Sequence, residues 1–295
     1  MDRVASFADV TRWDGPFPPE LQEAGVAALE DGQVLFFPNL AFALSDAERP
    51  LLEAGASDGR SKNVSYDPAT GETKGTALAG DDLALLSAMV RRFAGQSRAL
   101  LLGLFPRYEP ALEQARTSFR PAEIAGRVQP WRKDDTRLHV DAFPTRPLRG
   151  RRILRVFSNI DPAATPRRWV VGEPFEQHAA RFLPRLRAPL PGSAQALALL
   201  GLTKSPRSRY DHAMLELHDA AKRDPGYQEQ TRAGQGETAF PAGTSWMVFT
   251  DQTPHAALSG RNALEQTFHI EPSAMADPSR APLAVLQRLT GRAMV

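Results

Sequence analysis

The chain has 295 residues, 42% of them hydrophobic and 24% charged, with a formal net charge of +2. That is enough for one large domain or two modest ones, in the composition range of ordinary soluble globular proteins. It contains no Cys, which excludes disulfides and thiolate metal sites and fits a cytoplasmic location, so any metal must be held by His and carboxylates.

No run approaches the roughly 18 apolar residues of a membrane span. The first nine residues lack the continuous apolar region of an export signal. Residues 32–38 predict a short buried strand ended by Pro38. Ser45 and Glu48 have capping-box spacing and predict a helix start. Residues 58–76, rich in Gly, Ser, Asn, Asp and Thr, predict a loop. From Asp81 to about Phe105 the period is helical, with Leu83, Leu86, Met89, Val90, Phe93, Leu100 and Leu101 forming the apolar side of a core helix.

From about residue 117 the period shortens. Strand-like pieces are expected at 127–131, 138–143, 151–160 and 168–172, with a turn-rich connection at 144–150. Residues 173–232 predict mainly helix, with Met214, Leu217 and Ala221 at helical spacing. Strand character returns at 244–250, 254–258 and 264–270, and about 282–291 predicts a short amphipathic helix. The fold class expected is α+β: a double-stranded β-helix, or jelly roll, flanked by helices and carrying a helical insertion at about 173–232. Residues 1–295 read as one domain. Within it, 1–116 form an N-terminal strand and packing helices, 117–275 the core, and 276–295 a C-terminal helix.

The candidate site begins at His139-Val140-Asp141. In extended chain, residues i and i+2 point to one side, so the imidazole and the carboxylate can reach a single ion. A second imidazole would complete the 2-His-1-carboxylate set of non-haem Fe(II) oxygenases. The motif is short and common by chance, so its context matters. His255 is the proposed third ligand, just after a turn and at the start of a short strand. In a jelly roll early and late strands lie side by side. His269, inside a strand with Glu265 and Thr267 on its face, is the competitor. His212 and His218 are six residues apart on a helix and do not share a face well, so they read as surface or structural.

Charge adds a second signal. Of the 36 basic residues, 31 are Arg. Codon bias accounts for an overall excess, but from Arg120 to Arg155 there are nine Arg and one Lys against four acids. Arg is suited to carboxylate and phosphate, so the cluster points to an anionic substrate or cosubstrate. In the strand 152–160, Arg155 and Asn159 share a face. An Arg in an otherwise apolar strand requires a partner if it is buried.

Five stretches carry a resemblance: H-V-D-A-F-P-T-R-P at 139–147, G-R-R-I-L-R-V-F-S-N-I at 150–160, W-V-V-G-E-P-F at 169–175, Y-D-H-A-M-L-E-L-H-D at 210–219 and L-E-Q-T-F-H at 264–269. Over roughly residues 120–275 the chain resembles Kdo 3-hydroxylases, bacterial enzymes of lipopolysaccharide inner-core modification within the Fe(II)/2-oxoglutarate dioxygenase superfamily. The resemblance implies Fe(II) held by His139, Asp141 and His255, with 2-oxoglutarate and dioxygen as cosubstrates. It implies hydroxylation of carbon 3 of a Kdo sugar on lipid A, with peripheral contact at the cytoplasmic side of the inner membrane. A carboxylate at Asp141, where related halogenases bind halide, implies hydroxylation. Many members of the superfamily place a cosubstrate-binding Arg about ten residues after the distal His. Here that position is Glu265, so the pattern fails. Arg155 is the expected anchor of the far carboxylate, with Asn159 assisting and Arg261 in reserve.

The residues alone leave other readings open. One is a 2-oxoglutarate oxygenase acting on another small anion or a protein. Another is a non-oxygenase metal jelly roll, such as a sugar isomerase, or an anionic-ligand-binding protein. A third is an Arg-rich RNA- or membrane-binding protein with an incidental H-V-D. The near-neutral net charge and the lack of interleaved aromatic and basic residues speak against nucleic acid.

Overall fold

The computed structural model describes residues 3–52 and 56–295, so the first two residues of the N-terminal stretch read above lie outside it. In chain order its elements are β1 (Val4–Ser6), α1 (Pro19–Glu30), β2 (Val34–Phe37), β3 (Val64–Tyr66), β4 (Thr73–Lys74), α2 (Gly80–Leu104), β5 (Leu112–Arg120), β6 (Arg152–Asn159) and β7 (Arg167–Val171). There follow α3 (Phe175–Phe182), α4 (Ser193–Leu199), α5 (Arg209–Arg223), α6 (Pro225–Arg232), β8 (Glu237–Phe240), β9 (Ser245–Phe249), β10 (His255–Ser259), β11 (Ala263–Ile270) and α7 (Pro282–Thr290).

The strands form two sheets. The large one runs β1-β2-β9-β6-β11-β5-β3-β4, and the small one runs β10-β7-β8. This is the expected α+β jelly-roll arrangement, with helices outside the large sheet and a helical insertion, α3 to α6, between β7 and β8. The small sheet is extended on its β10 edge by one residue. His139 and His255 exchange backbone hydrogen bonds of 3.1 and 2.8 Å. The strand expected at 138–143 is reduced to this single bridge because Asp141 donates its N–H to Thr250 O at 2.8 Å. The chain thereby leaves the small sheet and turns toward the end of β9.

The long helix forms where its period places it. In α2, Leu86, Met89, Val90, Phe93, Leu100, Leu101 and Leu104 are all buried. Burial of such side chains stabilises by roughly 1.5–3 kcal/mol each. Phe93 packs edge-on against Trp13 and Phe42 at centroid distances of 5.7 and 5.4 Å.

Other local expectations were overridden. Ser45 donates its N–H to the Glu48 carboxylate at 2.9 Å, half of a capping box, but the turn that follows is a 3-10 helix over Arg49–Leu52. The loop expected at 58–76 contains the hairpin β3–β4, which adds to the sheet through β5. The boundary expected at 116/117 falls inside β5, which pairs with β11 along its length. The piece expected as strand at 127–131 is irregular and ends in a 3-10 turn at Trp131–Lys133, after Pro130, which has no N–H for a ladder.

Candidate metal centre and active site

Three side chains converge between the sheets. One ligand atom each from His139, Asp141 and His255 lies within 4.8 Å of the others. His139 Nε2 is 3.5 Å from Asp141 Oδ1, and the two imidazole centroids are 4.8 Å apart. The bridge at the edge of the small sheet sets the histidines opposite each other, and the turn after Val140 brings Asp141 between them and the large sheet. Gly172 permits the approach: its N–H donates to Pro254 O at 2.7 Å, and a Cβ there would lie 3.0 Å from Pro254 and 3.2 Å from Leu138.

Local hydrogen bonds fix the tautomers. His139 Nδ1 is 2.7 Å from Arg137 O, and His255 Nδ1 is 2.9 Å from Thr253 O. A carbonyl only accepts, so Nδ1 carries the proton in each ring and Nε2 keeps its lone pair for the site. Both rings are held neutral. Burial, reinforced by the Lys222 charge, pushes the His139 pKa down to about 3, and burial lowers that of His255. Burial alone would raise the Asp141 carboxyl. The Arg155 guanidinium and the contact with His139 outweigh it and keep the group ionised. Two neutral imidazoles and a carboxylate form a donor set suited to a divalent first-row ion.

A cavity opens beside this triad, lined by Arg120, Arg155, Phe157, Arg167, Trp169 and Glu265 among others. Sheet register builds it. Arg155 sits opposite Thr267, so Glu265 is its diagonal neighbour across β6 and β11. Ser118 is opposite Glu265 on β5, which brings Arg120 alongside. Arg155 Nη1 is 2.7 Å from Glu265 Oε1, and Arg120 Nη2 is 2.6 Å from Glu265 Oε2. The position where the superfamily often has Arg thus holds an acid bracketed by two guanidinia. Arg120 also approaches Asp135 at 3.6 Å, and Lys62 reaches Asp135 at 2.6 Å.

Arg167 differs from its neighbours. It is buried, its Nη1 donates only to Gly260 O at 3.3 Å, and no carboxylate lies within ion-pair distance among the described residues, although Glu265, Asp135 and Glu123 act on it from farther away. Burial, with Arg120 nearby, pushes its pKa down to about 10, so it stays charged at neutral pH. Arg120 Nε, Arg155 Nε, Arg167 Nε and Trp169 Nε1 are all buried without a hydrogen-bond partner. Buried N–H groups of this kind are costly unless a ligand satisfies them.

Of the six residues singled out from sequence, the structure brings four together: His139, Asp141, His255 and Arg155. It keeps two away. Asn159 shares the strand face of Arg155 but lies farther along it, where its amide donates to Thr165 O and Phe240 O at 2.9 and 3.0 Å and closes the turn after β6. Arg261 pairs with Asp161 at 3.2 Å in the turn before β11. Neither lines the cavity. His269 faces Glu113 at 3.4 Å and Phe143, apart from the triad. His218, which the sequence marks as surface or structural, packs its ring edge-on against the His139 ring at 5.2 Å. Arg120, Arg167 and Trp169 were missed. The signal was present for Arg167: in a strand of period two it shares a face with Trp169 and Val171, the same pattern that singled out Arg155.

Comparison with known proteins agrees with this geometry. A family model described as 3-deoxy-D-manno-oct-2-ulosonic acid (Kdo) hydroxylase matches residues 12–293. The crystal structure of the Kdo hydroxylase KdoO, a non-haem Fe(II) alphaketoglutarate-dependent dioxygenase in complex with alphaketoglutarate and Fe(III), superposes with a TM-score of 0.93 at 45% identity. That match covers 100% of this chain and 98% of the other. The apo structure of KdoO matches at 46% identity and a TM-score of 0.94, over the same shares of both chains. Its complex with succinate and Fe(III) matches at 46% identity and 0.93, again over 100% and 98%. No curated protein matches the chain. With a family model spanning nearly all of its length and full-length relatives of this similarity, the chain belongs to the Kdo hydroxylase family.

Proposed function

We propose that the chain is an Fe(II)/2-oxoglutarate-dependent dioxygenase that hydroxylates carbon 3 of a Kdo sugar of Kdo-lipid A. The observation that carries this reading is the pairing of a His-His-Asp triad with a cavity of buried, unsatisfied N–H donors. His139, Asp141 and His255 would hold iron. The free N–H groups of Arg120, Arg155, Arg167 and Trp169 fit a dianionic ligand such as 2-oxoglutarate, and Arg167, which among the described residues has no carboxylate within ion-pair distance, is the best placed to take its far carboxylate. Iron, 2-oxoglutarate and dioxygen would supply the oxidising chemistry that converts C–H to C–OH.

The protein residues supply position and environment. Arg137 O and Thr253 O lock the imidazole tautomers. Arg155 fixes the Asp141 carboxylate. Phe157 and Trp169, packed edge-on at 5.0 Å, give the cavity an aromatic wall. The sugar is a 3-deoxy acid, so carbon 3 is where a hydroxyl is missing. We further propose that the chain works as one unit, since the large sheet draws strands from both ends of the sequence, and that it meets its lipid peripherally from the cytoplasmic side. No helix among the described residues is long and apolar enough to cross a membrane.

Two measurements test the reading. Anaerobic addition of Fe(II) and 2-oxoglutarate gives a visible charge-transfer band; its absence would overturn the class. Expression in a bacterium that makes unmodified Kdo-lipid A adds one oxygen to a Kdo unit by mass spectrometry, and His139→Ala abolishes the gain. Unmodified Kdo beside an intact chelate band would overturn the substrate and leave the class.

A further inference from the structure

Asp141 is a wall shared by two clefts. The first is the cavity of buried guanidinia described above. The second is lined by Phe143, Arg146, Arg151, Tyr210 and Met214, and by Asp211 and Asp251, whose carboxylates are taken up by the Leu148 and Arg149 N–H groups and by Arg152. Asp141 therefore belongs both to the basic cavity and to a cleft formed by the 143–151 segment, Ile153 and α5.

The second cleft has a distinct composition. Arg146 is exposed at its rim and has no ion-pair or hydrogen-bond partner among the described residues. Arg151 is already engaged by Glu113, with Glu271 at 3.9 Å. Among the described residues, Arg146 is thus the cation of the cleft without an ion-pair partner. Tyr210 is buried at 3% exposure, yet its hydroxyl has no hydrogen-bond partner among the described residues. Phe143 and Met214 add apolar surface. One uncommitted cation, one uncommitted hydroxyl and an apolar wall are the groups that recognise a sugar acid: a carboxylate, ring hydroxyls and a C–H face.

Helix geometry ties this cleft to the metal site. Tyr210, Met214 and His218 stand four residues apart, so they lie along one face of α5. Tyr210 and Met214 line the cleft, and His218 touches the His139 ring at 5.2 Å. One helix face therefore spans the triad and the cleft beside it.

We propose that this second cleft is the sugar subsite: Arg146 takes the Kdo carboxylate, Tyr210 hydrogen-bonds a sugar hydroxyl, and Phe143 with Met214 packs on the ring. The assignment rests on the function proposed above. It also follows from connectivity. The carboxylate of Kdo is on carbon 2, one bond from the carbon to be attacked, so its binding cation must be a close neighbour of the metal ligands. Arg146 shares a cleft with Asp141. The Arg132 and Arg223 pair, by contrast, is stacked on Trp131 at 4.4 and 4.5 Å and tied to Asp219.

The test uses Arg146→Gln and Tyr210→Phe in the full chain loaded with Fe(II). Steady-state kinetics on Kdo-lipid A are measured beside anaerobic titration of the 2-oxoglutarate chelate band. The expected result for Arg146→Gln is a KM for the Kdo substrate raised roughly tenfold or more, with 2-oxoglutarate affinity unchanged. Arg146→Lys recovers part of the loss. Tyr210→Phe raises the same KM by a smaller factor. The same variants are assayed on a substrate whose lipid A phosphates have been removed. An Arg146→Gln defect that persists there supports a carboxylate contact, and one that disappears shows that Arg146 reads lipid phosphate and overturns the assignment. An unchanged KM in both variants also overturns it. Wild-type protein that leaves Kdo unmodified would instead bring down the function on which the assignment stands.

Discussion

Arg155 joins Asp141 to the large sheet: its Nη2 lies 2.9 Å from Asp141 Oδ2 while its Nη1 lies 2.7 Å from Glu265 Oε1. A single guanidinium therefore holds a candidate metal ligand and an acid on β11 at once. All three groups are buried, so the contacts are little screened by solvent. Removing a group that orients a metal ligand typically lowers metal affinity about 10–100-fold. Arg155→Met is expected to do so, and to raise the 2-oxoglutarate requirement as well. Calorimetric metal titration checks the first effect; unchanged metal affinity would mean that Asp141 does not need its partner.

Arg167 is expected to separate the two effects. It carries a buried charge, and among the described residues no carboxylate lies within ion-pair distance of it and no hydrogen bond joins it to the triad. Arg167→Met should raise the 2-oxoglutarate concentration needed for half-saturation by roughly 10–100-fold, as loss of a charged hydrogen-bonding partner does. Metal affinity should stay as in the wild type. Arg261→Met, altering a residue paired with Asp161 away from the cavity, should leave both unchanged. The chelate band measures all three proteins.

The choice between His255 and His269 is decided by metal binding. His255 lies in the triad, whereas His269 contacts Glu113 and Phe143. His255→Ala should lose stoichiometric Fe(II), and His269→Ala should keep it. Metal analysis after anaerobic desalting reads the outcome, and the reverse pattern would refute the triad.

His178 gives a pH dependence unrelated to the metal. It is buried in the insertion, with Nδ1 2.9 Å from the Tyr227 hydroxyl and Nε2 without a partner. Burial, with Arg181 nearby, pushes its pKa from 6.5 down to about 3. Between those values the unfolded chain binds a proton that the folded protein does not. Stability is therefore lost as pH falls below 6.5, and this one group contributes a loss of about 2 kcal/mol between pH 7 and pH 5. His178→Phe should lose about that much less over the same interval by urea unfolding. Equal losses in both proteins would count against the buried neutral ring.

Arg152 and Asp251 form a buried pair behind the site. Arg152 contacts Asp251 at 2.8 and 3.2 Å and Gln252 Oε1 at 2.6 Å, and its guanidinium lies 3.8 Å from the centroid of the Phe249 ring. Arg152→Met leaves Asp251 buried and uncompensated, a loss of about 3–5 kcal/mol. Arg152→Met with Asp251→Asn should recover part of it. Denaturant unfolding of the single and double variants measures the difference.

By itself the sequence determined what depends on neighbours along the chain. The two-residue spacing of His139 and Asp141 put both groups on one side of an extended segment. The period of Leu86, Met89, Phe93 and Leu100 gave the long helix, and the apolar setting of Arg155 marked it as a residue needing a partner. Tertiary structure decided which strands meet. His255 became a ligand neighbour because β10 bridges residue 139, and His269, also in a late strand, did not. Arg155 found Asp141 and Glu265 through the turn at Thr250 and the register of β6 on β11. Arg120 and Arg167 come to one cavity from strands of different sheets. The alternation of a strand says which side a residue takes, but only the order of strands in the sheets says what lies across from it.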